Sequence, residues 1–227
     1  MIDLTDIKNY FPVELHGFER FMIREYLQYK TLEIIFESPY SGKLAFLGGT
    51  ALRIVHNNNR FSEDLDFDNL GLVKTEFEQM ISYLSRKLLA EGLVVEAKNT
   101  YHMAYHSYLK FPGLLKKMRL SGHTEEKLTL RIDMEPQHFD FSPDWRLINK
   151  FDVFTQIAVT PLPLLLSQKL FALINRKRNK GRDFHDIAFL LSKNIKPNYN
   201  YLKAKLDISN ANQLKKQLNY SLQSIDL

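Results

Sequence analysis

Three carboxylates in this chain have the spacing of a cation site. Asp64 and Asp66 lie in the segment SEDLDF, and Asp133 lies further along in LRIDM. Alternate side chains of a strand share one face, so Asp64 and Asp66 are predicted to project together while the apolar residues beside them face the core. Carboxylates held that close repel each other unless a cation lies between them. The spacing therefore predicts a Mg²⁺ site, with Asp133 as the third ligand, suited to phosphate chemistry.

A glycine turn precedes the Asp64–Asp66 pair. Gly48 and Gly49 follow a short apolar segment, and Thr50 is predicted to open a helix. Because glycine has no Cβ, the backbone N–H groups of such a turn can approach the outer phosphates of a triphosphate. Nucleotidyl transfer also needs metal ions at the α-phosphate and cations at the leaving group. The Lys169 region offers such a cation.

Elements that could position these residues follow from hydrophobic periodicity. Residues 128–135 alternate strictly between apolar and polar types and are predicted to form a strand that carries Asp133. Gly92 suits the end of a helix. The remaining predicted elements of this part are helices at 14–37, 50–56 and about 77–90, and strands at 43–47, 64–68, 93–97 and 101–111.

The pattern after Pro136 is helical. Thr160 resembles an N-cap ahead of a helix that runs to about residue 179 and stops at Gly181. Asp183 fits the N-cap of a further helix through residue 192, and 199–219 is amphipathic. The fold class is therefore α+β. Residues 1–145 are predicted to form an α/β domain and residues 146–227 a helical, basic domain.

Composition restricts the class of protein. The 227 residues are 44% hydrophobic, which is enough for a substantial core. No apolar run approaches the roughly 18 residues that span a bilayer, and the N-terminus does not resemble a signal peptide. The absence of cysteine excludes disulfides and thiolate metal sites. We expect a soluble cytoplasmic protein without a membrane partner.

Positive charge is concentrated towards the C-terminus. Residues 165–227 hold 12 Lys/Arg and 4 Asp/Glu, which leaves 19 and 22 for residues 1–164. This asymmetry suits a polyanionic partner such as a nucleoside triphosphate or RNA. A solvated basic helix surface explains it equally well.

Two combined motifs resemble a known family. The segments GGTAL (48–52) and RFSEDLDF (60–67) resemble the AbiEii/AbiGii toxin family of nucleotidyltransferases. The segments QKLFA (168–172) and RDFHD (182–186), with Arg176 between them, match that family's second signature. The resemblance implies a DNA polymerase β-like nucleotidyltransferase fold, with a mixed sheet and helices followed by a helical half. It also implies the toxin of a bacterial toxin–antitoxin or phage-defence pair, with a winged-helix antitoxin as partner.

The resemblance also implies a reaction and residue roles. Related toxins use a nucleoside triphosphate, and some add nucleotides to the 3′ end of tRNA. Asp64 and Asp66 would be metal ligands, and Asp183 would belong to a second catalytic cluster. Many nucleotidyltransferases have Gly-Ser where this chain has Gly-Thr, which keeps the hydroxyl. Contacts to the triphosphate are expected from Gly48, Gly49, Thr50, Arg60, Ser62, Lys169 and Arg176.

Each candidate also has a purely structural interpretation. Asp133 shares its strand face with Arg131 and Glu135, which is typical of a salt-bridged surface. Acidic residues such as Asp183 and Asp186 are common at helix starts. The remaining structural interpretations are a solvated strand face for Asp64 and Asp66, a snorkelling side chain for Lys169 and a solvated helix end for 176–182.

Two other interpretations concern histidines and the reaction itself. His102 and His106 share a face, but no carboxylate pattern surrounds them, so a zinc site is not expected. Transfer of the nucleotide to a protein hydroxyl is a second enzymatic hypothesis. A nucleotide- or partner-binding module without turnover is a third.

Overall fold

The protein is described from a computed structural model that covers residues 3–123, 125–176 and 181–223. The chain forms two compact units. The first unit ends at Val159 and omits residues 139–142. The second unit consists of those residues and the described part of the chain from Thr160 onward.

The first unit alternates helices with strands in its N-terminal part and ends in a hairpin. Two single 3₁₀ turns lie at Val13–Leu15 and Ser41–Lys43. Its helices are α1 (Leu4–Lys8), α2 (Glu19–Phe36), α3 (Gly48–His56), α4 (Lys74–Ala90) and α5 (Leu114–Lys117). Its strands are β1 (Leu44–Leu47), β2 (Leu65–Asn69), β3 (Glu96–Tyr101), β4 (Tyr105–Phe111), β5 (Leu128–Glu135), β6 (Asp144–Lys150) and β7 (Val153–Val159).

The described strands form one mixed sheet. Their order is β3-β4-β5-β2-β1-β7-β6. Strands β2 and β5 are parallel, as are β1 and β7, and the other neighbours are antiparallel. The two central strands β2 and β5 therefore bring distant parts of the sequence side by side.

The core lies on one face of this sheet. In β5 the predicted alternation is confirmed: Leu130 and Ile132 are fully buried, whereas Arg131 and Asp133 lie on the opposite face. Helix α4 buries Phe77, Met80, Ile81, Leu84 and Leu88, the i, i+3, i+4 spacing that places side chains on one stripe. Helices α2 and α4 pack against the strands with these apolar side chains.

The hairpin β6–β7 was not predicted from the sequence. Strand β6 buries only Ile148 fully, and Trp145 and Leu147 are more than half exposed, so it lacks the alternation of a half-buried strand. The two compact units divide after Val159, whereas the predicted boundary after residue 145 falls within β6. That 1–145 and 146–227 fold as separate domains stays a prediction.

Two predicted strands near the sheet edge differ from those observed. Residues 93–97 were predicted as a strand because they are apolar, but β3 begins at Glu96 and ends at Tyr101. Strand β4 begins at Tyr105 rather than at residue 101. Edge strand β3 exposes its first three residues, so hydrophobicity did not mark it.

The second unit is helical. Its N-terminal helix α6 (Leu162–Asn175) has Pro161 rather than Thr160 at the N-cap. Asp183 lies inside the first turn of α7 (Gly181–Ser192) rather than at its N-cap. Both capping predictions were therefore wrong. Helix α6 ends at Asn175 with Arg176 as an extended C-cap, earlier than the predicted end near residue 179, which itself falls in 177–180, outside the described residues. Gly181, predicted to stop α6, begins α7 instead. The helices are α6 (Leu162–Asn175), α7 (Gly181–Ser192), α8 (Tyr199–Leu206) and α9 (Ala211–Gln223).

Among the described residues, no helix has the length and apolar character needed to cross a membrane.

Candidate active site

The strand register brings the predicted carboxylates of the first unit together. Asp66 in β2 is paired with Asp133 in the parallel strand β5, and with Leu47 at the end of β1. Neighbouring strands lie about 4.8 Å apart, so the Asp66 and Asp133 backbones are direct neighbours. Asp64 comes just before β2 and lies close enough to act electrostatically on Arg131 in β5. We call this polar side of the sheet the carboxylate face.

The glycine turn contacts the carboxylate of Asp66. Gly48 directly follows β1 and is the first residue of α3. Its φ is +81°, a backbone conformation that favours glycine. A Cβ at Gly48 would collide with Oδ2 of Asp66. Gly48 therefore does more than expose N–H groups: its missing side chain leaves the space that the Asp66 carboxylate occupies.

Asp133 is held by two neighbours. The Arg131 Nε–H donates to Asp133 Oδ1 at 2.7 Å, and His106 Nδ1 lies 2.6 Å from the same oxygen. The contact with Arg131 matches the structural interpretation of Asp133. The contact with His106 was missed, because cross-strand pairing of β4 with β5 brings together residues far apart in sequence. The expectation that no carboxylate accompanies the histidines is therefore wrong for His106.

Electrostatics tie Arg131 to this cluster. Burial alone would lower the pKa of Arg131, but Asp133, Tyr108 and Asp64 outweigh it and hold that pKa above its ordinary value. The guanidinium therefore stays charged and compensates part of the negative charge of Asp64 and Asp133.

The chemistry of the donors fits a divalent cation in part. Asp64 and Asp66 supply the hard oxygen ligands that Mg²⁺ prefers. In the described part of the chain, however, no set of three His, Cys, Asp or Glu side chains converges closely enough to hold a metal ion. The role of Asp133 as a third ligand stays a prediction, because its Oδ1 already accepts from Arg131.

Buried hydrogen bonds fix the segment that leads into β2. The fully buried Thr50 donates its hydroxyl to the carbonyl oxygen of Asp64. The Gln28 side-chain amide, also buried, donates to the carbonyls of Ser62 and Glu63 at 2.9 and 3.1 Å. These bonds hold the backbone of residues 62–64 in place. Gln28 was missed because α2 reaches this segment only through tertiary packing.

The other predicted triphosphate ligands of the first unit have local contacts. Arg60 donates from Nη1 to the Phe61 carbonyl at 3.0 Å. Ser62 is partly exposed, and Gly49 is buried within the first turn of α3. Their contact with a triphosphate stays a prediction.

Helix α3 is anchored at its other end by a buried ion network. Glu25 is 3% exposed and accepts from Arg53 Nε at 2.9 Å and from Lys150 Nζ at 2.7 Å. Burial lowers the pKa of Lys150 more than Glu25 raises it. Glu25, a charge amid the apolar positions of α2, was the available sequence signal for this network.

The second unit contains the other predicted site residues. Lys169 in α6 donates to Asp186 in α7 at 2.9 Å and lies 4.0 Å from Asp183. Arg176 Nη1 lies 2.6 Å from Asp183 Oδ2. The Asp186 side chain is completely buried and that of Asp183 is 7% exposed. The structure therefore groups Lys169, Arg176, Asp183 and Asp186 into one ion cluster between two helices.

The fold is similar to those of solved nucleotidyltransferase structures. MenT4, a nucleotidyltransferase toxin from Mycobacterium tuberculosis H37Rv, superposes with a TM-score of 0.60 at 13% identity, covering 89% of this chain and 68% of that chain. A putative nucleotidyltransferase from H. pylori gives 0.56 at 17% identity, covering 90% and 77%. JHP933 from Helicobacter pylori gives 0.53 at 16% identity, covering 91% and 92%. The predicted α+β fold is confirmed, and it is the fold of the nucleotidyltransferases.

Sequence comparison identifies the family. The profile of the nucleotidyl transferase AbiEii toxin family, of type IV toxin–antitoxin systems, matches residues 30–223. The chain belongs to this family, as its motifs predicted. A search of curated proteins gave no significant match. The protein is thus a nucleotidyltransferase, a class that uses a nucleoside triphosphate and typically a divalent metal ion, and its family implies an antitoxin partner.

Proposed function

We propose that this protein is a Mg²⁺-dependent toxin that transfers a nucleoside monophosphate from a triphosphate to RNA, at the 3′ end of tRNA. The observation that carries the proposal is the register of Asp66 beside Asp133, with the Gly48 turn against Asp66. This arrangement places carboxylates and a helix start at one point, where phosphates can be bound. The basic C-terminal part of the sequence supports a polyanionic acceptor.

Asp64 and Asp66 would hold Mg²⁺, and the bound ion would stabilise negative charge on the α-phosphate. The N–H groups at Gly48 and Gly49 would bind the outer phosphates, together with the side chains of Arg60 and Ser62. Thr50 would support this site through its bond to Asp64.

The reaction forms a bond from the acceptor hydroxyl oxygen to the α-phosphorus and breaks the bond to pyrophosphate. The hydroxyl proton must leave, and Asp133 would accept it. Arg131 and His106 both contact Oδ1, so Oδ2 is the oxygen that takes the proton in this scheme.

Lys169 and Arg176 are proposed to bind phosphate oxygens. Asp183 would orient both cations, because its carboxylate oxygens lie 4.0 Å from Lys169 Nζ and 2.6 Å from Arg176 Nη1. On the family resemblance, we further place the protein in the bacterial cytoplasm, in a phage-defence setting with a winged-helix antitoxin.

The test incubates purified protein with Mg²⁺, total tRNA and each of four α-labelled triphosphates in turn. Label should enter tRNA with the wild-type protein and not with the Asp64→Ala/Asp66→Ala variant. If the label enters protein instead, the acceptor is a protein hydroxyl rather than RNA. Triphosphate binding without any transfer would contradict the proposed reaction.

A further inference from the structure

One row of side chains crosses the carboxylate face from the sheet edge to the catalytic carboxylates. The register pairs Lys98 in β3 with Tyr108 in β4, and Tyr108 with Arg131 in β5. The pairing of Leu65 with Ile132 places Asp64 beside Arg131. We call Lys98, Tyr108 and Arg131 the cationic row. It spans two strand spacings, or about 10 Å.

The members of this row have the chemistry of a nucleotide platform. The Arg131 guanidinium carbon lies 5.7 Å from the centroid of the Tyr108 ring, which is partly exposed. Lys98 is exposed, and no carboxylate of the described residues lies within 4.0 Å of its ammonium group. An aromatic ring between cations can stack on a base while the cations contact phosphates.

A purely structural role explains only part of this row. Lysine on edge strands commonly prevents association through the sheet edge, and Lys98 lies on edge strand β3. Tyr108 and Arg131 lie on inner strands, where edge protection is not needed. Their polar side faces away from the core, so they are not required for core packing either.

Sheet order indicates which substrate this row meets. The Gly48 turn follows β1, on one side of β2, whereas β5, β4 and β3 lie on the other side. In an in-line displacement the attacking oxygen and the leaving pyrophosphate lie on opposite sides of the phosphorus. If the outer phosphates lie at the Gly48 turn, the acceptor hydroxyl approaches from the side of the cationic row.

We propose that the cationic row binds the single-stranded 3′ end of the RNA acceptor. Tyr108 stacks on a base near that end, and Lys98 contacts a phosphate further from the reacting hydroxyl. This inference rests on the proposed function and adds the path by which the acceptor reaches the carboxylates.

The test measures binding of the full chain to a fluorescein-labelled single-stranded RNA oligonucleotide. Tyr108→Ala should weaken binding about tenfold, whereas Tyr108→Phe, which keeps the ring, should bind like the wild type. Lys98→Ala should weaken binding a few-fold. It should also reduce the slope of the logarithm of the binding constant against the logarithm of the salt concentration by about one. The matched control is Lys87→Ala. The Lys87 ammonium also lies over a tyrosine ring, 5.6 Å from the centroid of Tyr83, but both residues are on α4 and not in the cationic row. It should leave binding unchanged.

Steady-state kinetics separate the two substrates. Tyr108→Ala should raise KM for tRNA and leave KM for the triphosphate unchanged. Unchanged oligonucleotide affinity in a folded Tyr108→Ala variant, or an equal rise in both KM values, would overturn the proposal. If the wild type binds the oligonucleotide through Tyr108 but transfers nothing to RNA, the cationic row stands and the proposed reaction fails.

Discussion

The carboxylates of the first unit and the ion cluster of the second unit differ in how their charges are held. Asp133 is about one-fifth exposed, and its neighbours Asp64 and Asp66 are likewise partly accessible. Asp186, by contrast, is fully buried and paired with Lys169. Accessible carboxylates can bind a cation and substrate, whereas a buried pair stabilises the packing of two helices. The same types of residue are therefore expected to respond differently to mutation in the two regions, because their burial differs.

The largest effect is expected for Asp66→Asn. Loss of one carboxylate charge at the proposed metal site should lower the transfer rate at least about a thousandfold. The side chain keeps its shape, so the free energy of unfolding should change by less than about 1 kcal/mol. Urea denaturation and the labelled-triphosphate assay measure the two quantities. A large loss of stability would assign Asp66 to the fold rather than to the chemistry.

Asp186→Asn should have the opposite profile. Removing the charge takes away the nearer carboxylate of Lys169 and leaves only Asp183, at 4.0 Å, among the described residues, which should lower the free energy of unfolding by about 3 kcal/mol. Asp207→Asn is a matched control, because Asp207 lies exposed at the C-cap of α8. Equal stability of both variants would remove the distinction between the two regions.

Gly48→Ala tests the space that glycine leaves for Asp66. The added methyl meets the Asp66 carboxylate in a backbone conformation with positive φ, so we expect a loss of about 2 kcal/mol in stability. Displacement of Asp66 should also lower the transfer rate about a hundredfold. Gly42→Ala has open space around it and should alter neither quantity.

The smallest effect is expected for Gln28→Leu. Without its amide, the carbonyls of Ser62 and Glu63 lose their donors, which should lower the free energy of unfolding by about 1 kcal/mol. As a positioning residue, Gln28 should change kcat, by about tenfold, more than KM for the triphosphate. Gln79→Leu on the exposed side of α4 is the control. A change confined to KM would instead indicate a binding role.

The sequence contains the local part of this site but not its long-range contacts. The alternation of apolar and polar residues in β5 and the glycine turn at the start of α3 could be predicted, because each depends on residues that are close in sequence. The contact of His106 with Asp133 depends on strand register, and that of Gln28 with the β2 approach depends on helix packing. The β6–β7 hairpin was not predicted, because the edge strand β6 exposes large apolar side chains such as Trp145.

The ion cluster of the second unit illustrates a similar limit. The i, i+3 spacing of Asp183 and Asp186 fitted an ordinary helix start, and α7 does place Asp183 in its first turn. Burial of Asp186 against Lys169 comes from the packing of α6 on α7. Spacing within one helix does not reveal which partner another helix supplies.

The most direct test of the central claim is the transfer of label from α-labelled triphosphates to tRNA by three proteins: wild type, Asp66→Asn and Asp186→Asn. Rates are normalised to the folded fraction from urea denaturation. If the carboxylate face carries the chemistry, Asp66→Asn is folded and inactive, while folded Asp186→Asn keeps at least about a tenth of the wild-type rate. Undiminished transfer by Asp66→Asn would contradict the assignment of the active site.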